Sequence, residues 1–177
     1  MSGMHRSLAF FAIASCVFLG ACGGNDTTAP SSAAPVVFSA LLVPANEVPP
    51  VSNAESAGHG AVQVQFDVTR DASGAITGAV GTFYFQLTGY PPGTTIVGAH
   101  IHPAPAGVNG PVIISTGLAS ANTRLLDDGS GDFSFTGVFA DPALVQQIVN
   151  NPAAFYFNVH STTNPGGFSR GQLVRVQ

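Results

Sequence analysis

The chain has 177 residues, with five Lys and Arg against nine Asp and Glu and a formal net charge of −4 at pH 7. That length fits one domain with short attachments. All five cations are Arg, and so sparse a positive charge excludes a polybasic nucleic-acid surface, which needs clustered Lys and Arg to meet phosphates. The 21 Gly and 13 Pro with no Trp favour many turns and few helices, the composition of an antiparallel β protein.

Residues 1–6 carry His5 and Arg6, and an apolar run, LAFFAIASCVFL, fills 8–19. The run is short for a permanent transmembrane helix and small residues follow it, so residues 1–21 are read as a secretory signal. Its end, Leu19-Gly20-Ala21-Cys22, resembles a bacterial lipobox. The resemblance implies cleavage before Cys22 and acylation of its thiol and its new amino group. More than one acyl chain makes a stable anchor, because each buried methylene contributes roughly 0.8 kcal/mol. Gly23 rather than Asp follows the cysteine, which resembles the default outer-membrane route of Gram-negative lipoproteins. Cys16 lies inside the apolar run and is read as a small hydrophobe. No cysteine occurs after Cys22, so no disulfide can staple the rest. Residues 22–35, from the lipidated cysteine through GGNDTTAPSSAAP, are too polar and small to order themselves and are expected to be a flexible tether.

The main domain is assigned to 36–177. A short apolar run at 36–42 ends at Pro44. Residues 61–69 alternate, with Val62, Val64, Phe66 and Val68 on one face and Gln63, Gln65 and Asp67 on the other, the mark of a half-buried strand. A turn at 71–74 leads to a second alternating segment at 76–87, and Pro91-Pro92-Gly93 breaks the chain. Strands are expected at 95–102, 111–116, 123–126, 133–138, 154–160 and 172–176, with a turn at 128–131. One helix is expected near 142–150: Asp141 can cap it, Pro142 suits its first position, and Asn150 and Asn151 stop it. No βαβ rhythm and no internal repeat appears. The fold expected is therefore all-β, an antiparallel β-sandwich or barrel of the Cu,Zn superoxide dismutase-like or immunoglobulin-like kind.

Three segments then become recognisable. Ala45-Asn46-Glu47-Val48-Pro49-Pro50 with Gly58 resembles the opening motif of CHRD (chordin-type) domains. Ala99-His100-Ile101-His102 with Asn109-Gly110-Pro111-Val112 resembles their central motif. Phe155-Tyr156-Phe157-Asn158-Val159-His160, Asn164-Pro165-Gly166-Gly167 and Arg170-Gly171-Gln172-Leu173 resemble their closing motif. The blocks stand in the family's order and span nearly all of 36–177. The resemblance implies an extracytoplasmic β domain and does not imply growth-factor binding. The sequence departs from the family where an acidic and then an apolar residue usually precede Arg-Gly: Phe168 and Ser169 stand there. Ser161 stands where Thr usually follows the closing His.

Residues two apart on a strand share a face, so His100 and His102 point one way and Ile101 the other. In 155–160, Phe155, Phe157 and Val159 line one face while Tyr156, Asn158 and His160 line the other. Three neutral imidazoles would suit zinc or copper. The layout resembles part of the copper site of Cu,Zn superoxide dismutases, a fold-level analogy that lacks the bridging histidine, the zinc-binding Asp and the disulfide. The competing reading is a sheet-stabilising hydrogen-bond network, with Asn158 and Asn164 as partners of the imidazoles. His59, between Gly58 and Gly60, either closes a metal site or is a solvated loop residue. Glu47 can accept from nearby backbone or pair with Arg170, and Arg170 can pair with Glu47 or face the histidines. A single carboxylate makes no acid–base pair, so both are read as organisers. Pro165-Gly166-Gly167 is expected to form a turn with positive φ. No nucleophile elbow, P-loop, Cys-x-x-Cys or dinucleotide fingerprint is present.

The sequence thus favours a lipid-anchored protein of the bacterial cell envelope, outer-membrane if Gram-negative. It would be a non-enzymatic module binding a protein or small ligand, without nucleic acid. The second reading is a copper or zinc protein using His100, His102 and His160. The third is a superoxide-handling enzyme.

Overall fold

A computed structural model describes residues 34–177; the signal segment, Cys22 and the tether up to residue 33 lie outside the described residues. Ten strands form two antiparallel sheets packed as a sandwich. The first sheet contains β1 (Val36–Leu42), β2 (His59–Arg70), β3 (Ile76–Thr88), β7 (Gly131–Phe139) and β10 (Val174–Arg175), in the order β10-β1-β2-β3-β7. The second contains β4 (Thr94–Pro103), β5 (Ile114–Ser115), β8 (Phe155–Ser161) and β9 (Ser169–Gln172), in the order β5-β4-β8-β9, with β6 (Arg124–Leu126) also pairing β4.

The alternation at 61–69 becomes β2 as expected, with Val62, Val64, Phe66 and Val68 buried. Register places Val64 between Phe38 and Phe83, and Val62 opposite Phe85. The inner face of the second sheet supplies Ala99, Ile101, Phe155, Phe157 and Val159. The sheets meet at Phe157, whose ring stacks on Phe83 at 6.1 Å and tilts against Phe85 at 5.5 Å. Such aromatic pairs add about 0.5–1.5 kcal/mol beyond their buried area. The helix α1 (Pro142–Asn150) is capped as expected, the Asp141 carboxylate accepting from the Ala143 N–H at 2.8 Å. Val145 and Ile148 bury its apolar side.

Two strands differ from expectation. Only Ile114–Ser115 of 111–116 pairs: Pro111 has no N–H to give a ladder, and Val112 is exposed. The single strand expected at 172–176 is two, β9 in the second sheet and β10 in the first. Leu173 is the pivot. Its side chain is buried and its N–H reaches the Phe155 carbonyl at 2.9 Å, so the chain turns over the core edge and changes sheets. A bridge between Val43 and Arg170 joins β1 to β9 near the same place.

The outer face of the second sheet is not left to solvent. Segment 44–58 is strapped across it, and loops 104–113 and 162–167 lie beside the strap. Asn109 Nδ2 donates to the Val48 carbonyl at 2.8 Å, and Asn53 Nδ2 donates to Asn164 Oδ1 at 3.0 Å. Apart from His59, the polar residues singled out from the sequence stand on this face or in the segments that cover it.

Candidate metal centre

Strand pairing sets the positions. On β4 and β8, His100 lies opposite Asn158, His102 opposite Tyr156 and Gly98 opposite His160; on β9, Arg170 lies opposite Asn158. The three imidazoles therefore gather, with ring centres 4.9 Å apart for His100–His160 and 5.8 Å apart for the other two pairs. One ligand nitrogen from each lies within 4.8 Å of the other two. His59, by contrast, begins β2, is exposed and pairs with Thr88 in the other sheet; it does not join the cluster.

Backbone carbonyls, rather than Asn158 and Asn164, orient two of the rings. His102 Nδ1 meets the Gly110 carbonyl at 3.0 Å and His160 Nδ1 meets the Pro165 carbonyl at 3.0 Å. A carbonyl only accepts, so each Nδ1 carries the proton and each Nε2 presents a lone pair. His102 Nε2, His160 Nε2 and His100 Nδ1 are buried without a hydrogen-bond partner. Asn164 is used elsewhere. With Ser161 Oγ, which donates at 2.7 Å, its amide donates to the buried Glu55 carboxylate.

Burial is the chief force on the imidazoles. It pushes His100 down to about 4, helped by His160 and His102. It also lowers His102 and His160, against the opposing carbonyl hydrogen bonds, and the Arg170 charge adds to both shifts. All three stay neutral at pH 7, the protonation state a metal ligand needs.

Beside the imidazoles sits a buried ion pair. Arg170 Nε donates to Glu47 Oε2 at 2.7 Å, and Arg170 Nη2 lies at 2.7 Å from the same oxygen. Of the alternatives for both residues, the pairing is the one formed. Burial raises the Glu47 carboxyl above its ordinary range, outweighing the Arg170 hydrogen bond and charge and the Asn158 amide. Arg170 Nη2 also donates to Asn109 Oδ1 at 2.6 Å and Nη1 to the Val108 carbonyl at 3.2 Å. Its guanidinium lies 4.5 Å from the centre of the Tyr156 ring, which stacks at 4.8 Å on His102. Tyr156 Oη accepts from the Gly110 N–H at 3.2 Å, and Gly110 is the residue whose carbonyl fixes His102.

Gly167 has φ +130°, and a Cβ there would stand 2.8 Å from Glu47 Oε1; the positive φ was expected and falls on the second glycine of the turn. Phe168, where the family usually has an acid, is fully buried with its ring edge-on to Tyr90 at 4.8 Å.

The sequence reading missed Glu55 and the parts played by Tyr156, Asn109 and Gly110. Asn109 and Gly110 lay inside a recognised motif, which was the available signal. A lone Glu in a polar segment gives none.

The three nitrogens fit a transition metal. Nitrogens about 2.0 Å from one ion stand about 3.5 Å apart, so the rings, whose nitrogens lie within 4.8 Å of one another, would close in slightly on an ion.

Replacing Glu47 by Ala leaves the Arg170 charge buried and alone, and is expected to cost about 3–5 kcal/mol in urea unfolding. The double variant Glu47→Leu/Arg170→Leu is expected to lose less than the sum of the two single losses. A second expectation concerns pH, measured in EDTA. The folded His100 pKa of about 4 lies below the ordinary 6.5, so its neutral form stabilises the fold fully above 6.5. That contribution fades as pH falls through 6.5, when the unfolded chain takes up the proton, and is gone near 4. The stability of the wild type relative to His100→Gln is therefore expected to fall between those values; a constant difference would contradict burial of the ring.

Comparison with curated proteins finds no match. The family model for the CHRD domain matches residues 38–173, which takes in the strap, the imidazole strands and the Arg170 turn, and the chain belongs to the CHRD domain family.

Proposed function

We propose that the chain is a lipid-anchored module of the bacterial cell envelope, non-enzymatic, whose ligand is a copper or zinc ion held by His100, His102 and His160. The observation that carries the reading is the gathering of three imidazoles, one nitrogen of each within 4.8 Å of the others, every ring having a buried nitrogen without a partner and two rings being in a tautomer fixed by backbone carbonyls. A purely structural histidine network would use these nitrogens in hydrogen bonds, because a buried polar atom left alone costs about 1–3 kcal/mol. A shared cation satisfies all three together. Between the general binding module and the metal protein expected from sequence, this geometry supports a module whose bound partner is the metal.

The test uses the intact chain in detergent, stripped with EDTA and titrated separately with zinc and copper. One ion per chain is expected. His102→Ala is expected to weaken binding at least about tenfold, since removal of a mere outer-shell partner already costs 10–100-fold. Equal binding by wild type and His102→Ala would overturn the assignment.

The anchor rests on Leu19-Gly20-Ala21-Cys22 after the apolar run. Acylation of Cys22 would hold the domain at the membrane surface, in the outer membrane of a Gram-negative cell. Cys22→Ser is expected to move the protein from the membrane fraction to the soluble fraction. Retention of the variant in the membrane fraction would contradict lipid attachment.

A further inference from the structure

We propose that the three-imidazole site is built to hold copper as the monovalent ion in preference to divalent copper or zinc, an inference that rests on the metal reading above.

Charge is the first argument. Among the described residues, the cluster that could hold an ion consists of three histidines, with no carboxylate or thiolate joining them. All three ligands are neutral, so the complex carries the ion's whole charge. The nearby carboxylate is no compensation, because Glu47 is bound to Arg170 at 2.7 Å and the pair sums to zero. The cost of taking an ion out of water grows with the square of its charge, so a divalent ion pays about four times the penalty of a monovalent one. The ligand nitrogens are buried, and this difference is therefore not relaxed by solvent.

Coordination number is the second. Zinc in proteins is almost always four-coordinate, and divalent copper prefers a tetragonal set of nitrogen and oxygen ligands. The site offers three nitrogens. The remaining nitrogens of His102 and His160 are occupied by the Gly110 and Pro165 carbonyls. Monovalent copper, with a filled d shell, is satisfied by three nitrogen donors and also by two.

The third argument is the asymmetry of the ligands. His102 and His160 are each tied by a hydrogen bond, and His100 is tied by none. Beside it stands Gly98, where a Cβ would lie 2.8 Å from His100 Cε1, so the ring occupies the space that a side chain there would take. Two donors tied by carbonyls and one without a hydrogen bond describe a site that holds an ion in two-coordinate form and completes it with the third ring.

The test compares intact wild type with His100→Ala. Monovalent copper is measured without oxygen by competition with bicinchoninate; zinc and divalent copper are measured by competition with a chromophoric chelator. Wild type is expected to hold monovalent copper at least about 100-fold tighter than either divalent ion, although imidazole sites ordinarily suit zinc and copper alike. His100→Ala is expected to keep weakened monovalent copper binding on His102 and His160 and to lose zinc entirely. Divalent binding as tight as monovalent in the wild type, or loss of both kinds of ion by His100→Ala, would overturn the monovalent assignment and leave the metal reading standing. Failure of the wild type to bind any of the three ions would overturn both.

Discussion

The Glu47–Arg170 ion pair is the contact on which the outer layer of this protein depends. Arg170 cannot lose its charge in a protein, and both side chains are almost wholly buried. A guanidinium in that position obliges a carboxylate to face it. Glu47 comes from a strap 123 residues away in the chain, so the pair fastens the strap to β9. The same guanidinium reaches Asn109 and the Val108 carbonyl, which draws in the loop after β4. One charge thus fixes two covering segments over one sheet.

That fastening reaches the imidazoles through short steps. Asn109 is held by Arg170 and by the Val48 carbonyl, and the next residue, Gly110, fixes the His102 tautomer. Tyr156 takes the Gly110 N–H and stacks on His102. His160 is set independently, by the Pro165 carbonyl in a turn whose next residues include Gly167, close above Glu47. The loops bury the rings, burial keeps them neutral, and the carbonyls aim their lone pairs. The chemistry attributed to the site follows from loops held in place more than from the strands that carry the ligands.

Most of the fold was legible because burial on one side of a strand writes an alternation into the sequence. Val62, Val64, Phe66 and Val68 declared β2, and the His-x-His spacing declared a shared face for His100 and His102. His160 could be put on a face of β8, yet its meeting with the other two depended on β4 and β8 being neighbours, which no local pattern states. The tautomers were hidden for a related reason. They are set by the carbonyls of Gly110 and Pro165, and every residue has a carbonyl, so nothing in the side-chain sequence marks the two that matter. The expectation of Asn158 and Asn164 as partners chose side chains because side chains are what a sequence displays. The division of 172–176 between two sheets turned on Leu173, whose apolar character suits a strand and a core pivot equally well.

The two faces of the second sheet are held by different physics, and this decides which face can be varied. Its inner face is apolar, and there Ala99, Ile101, Phe157 and Val159 need only fill volume; cores accept exchange among hydrophobic residues of similar size. Its outer face is a polar layer whose members are coupled. Removing one leaves others buried and unsatisfied, a larger loss than replacing the whole set with apolar groups. Phe168 shows how far the layer can bend: it lies two residues before Arg170, and its apolar ring is accommodated against Tyr90 without disturbing the ion pair. Glu47, Asn109, Tyr156 and Arg170 have no such freedom, because Arg170 touches the other three and Tyr156 and Asn109 adjoin the glycine that sets His102. A sandwich that required only a stable core could dispense with this layer. The layer instead covers three neutral imidazoles, and the coupling of its members sets their burial and their tautomers.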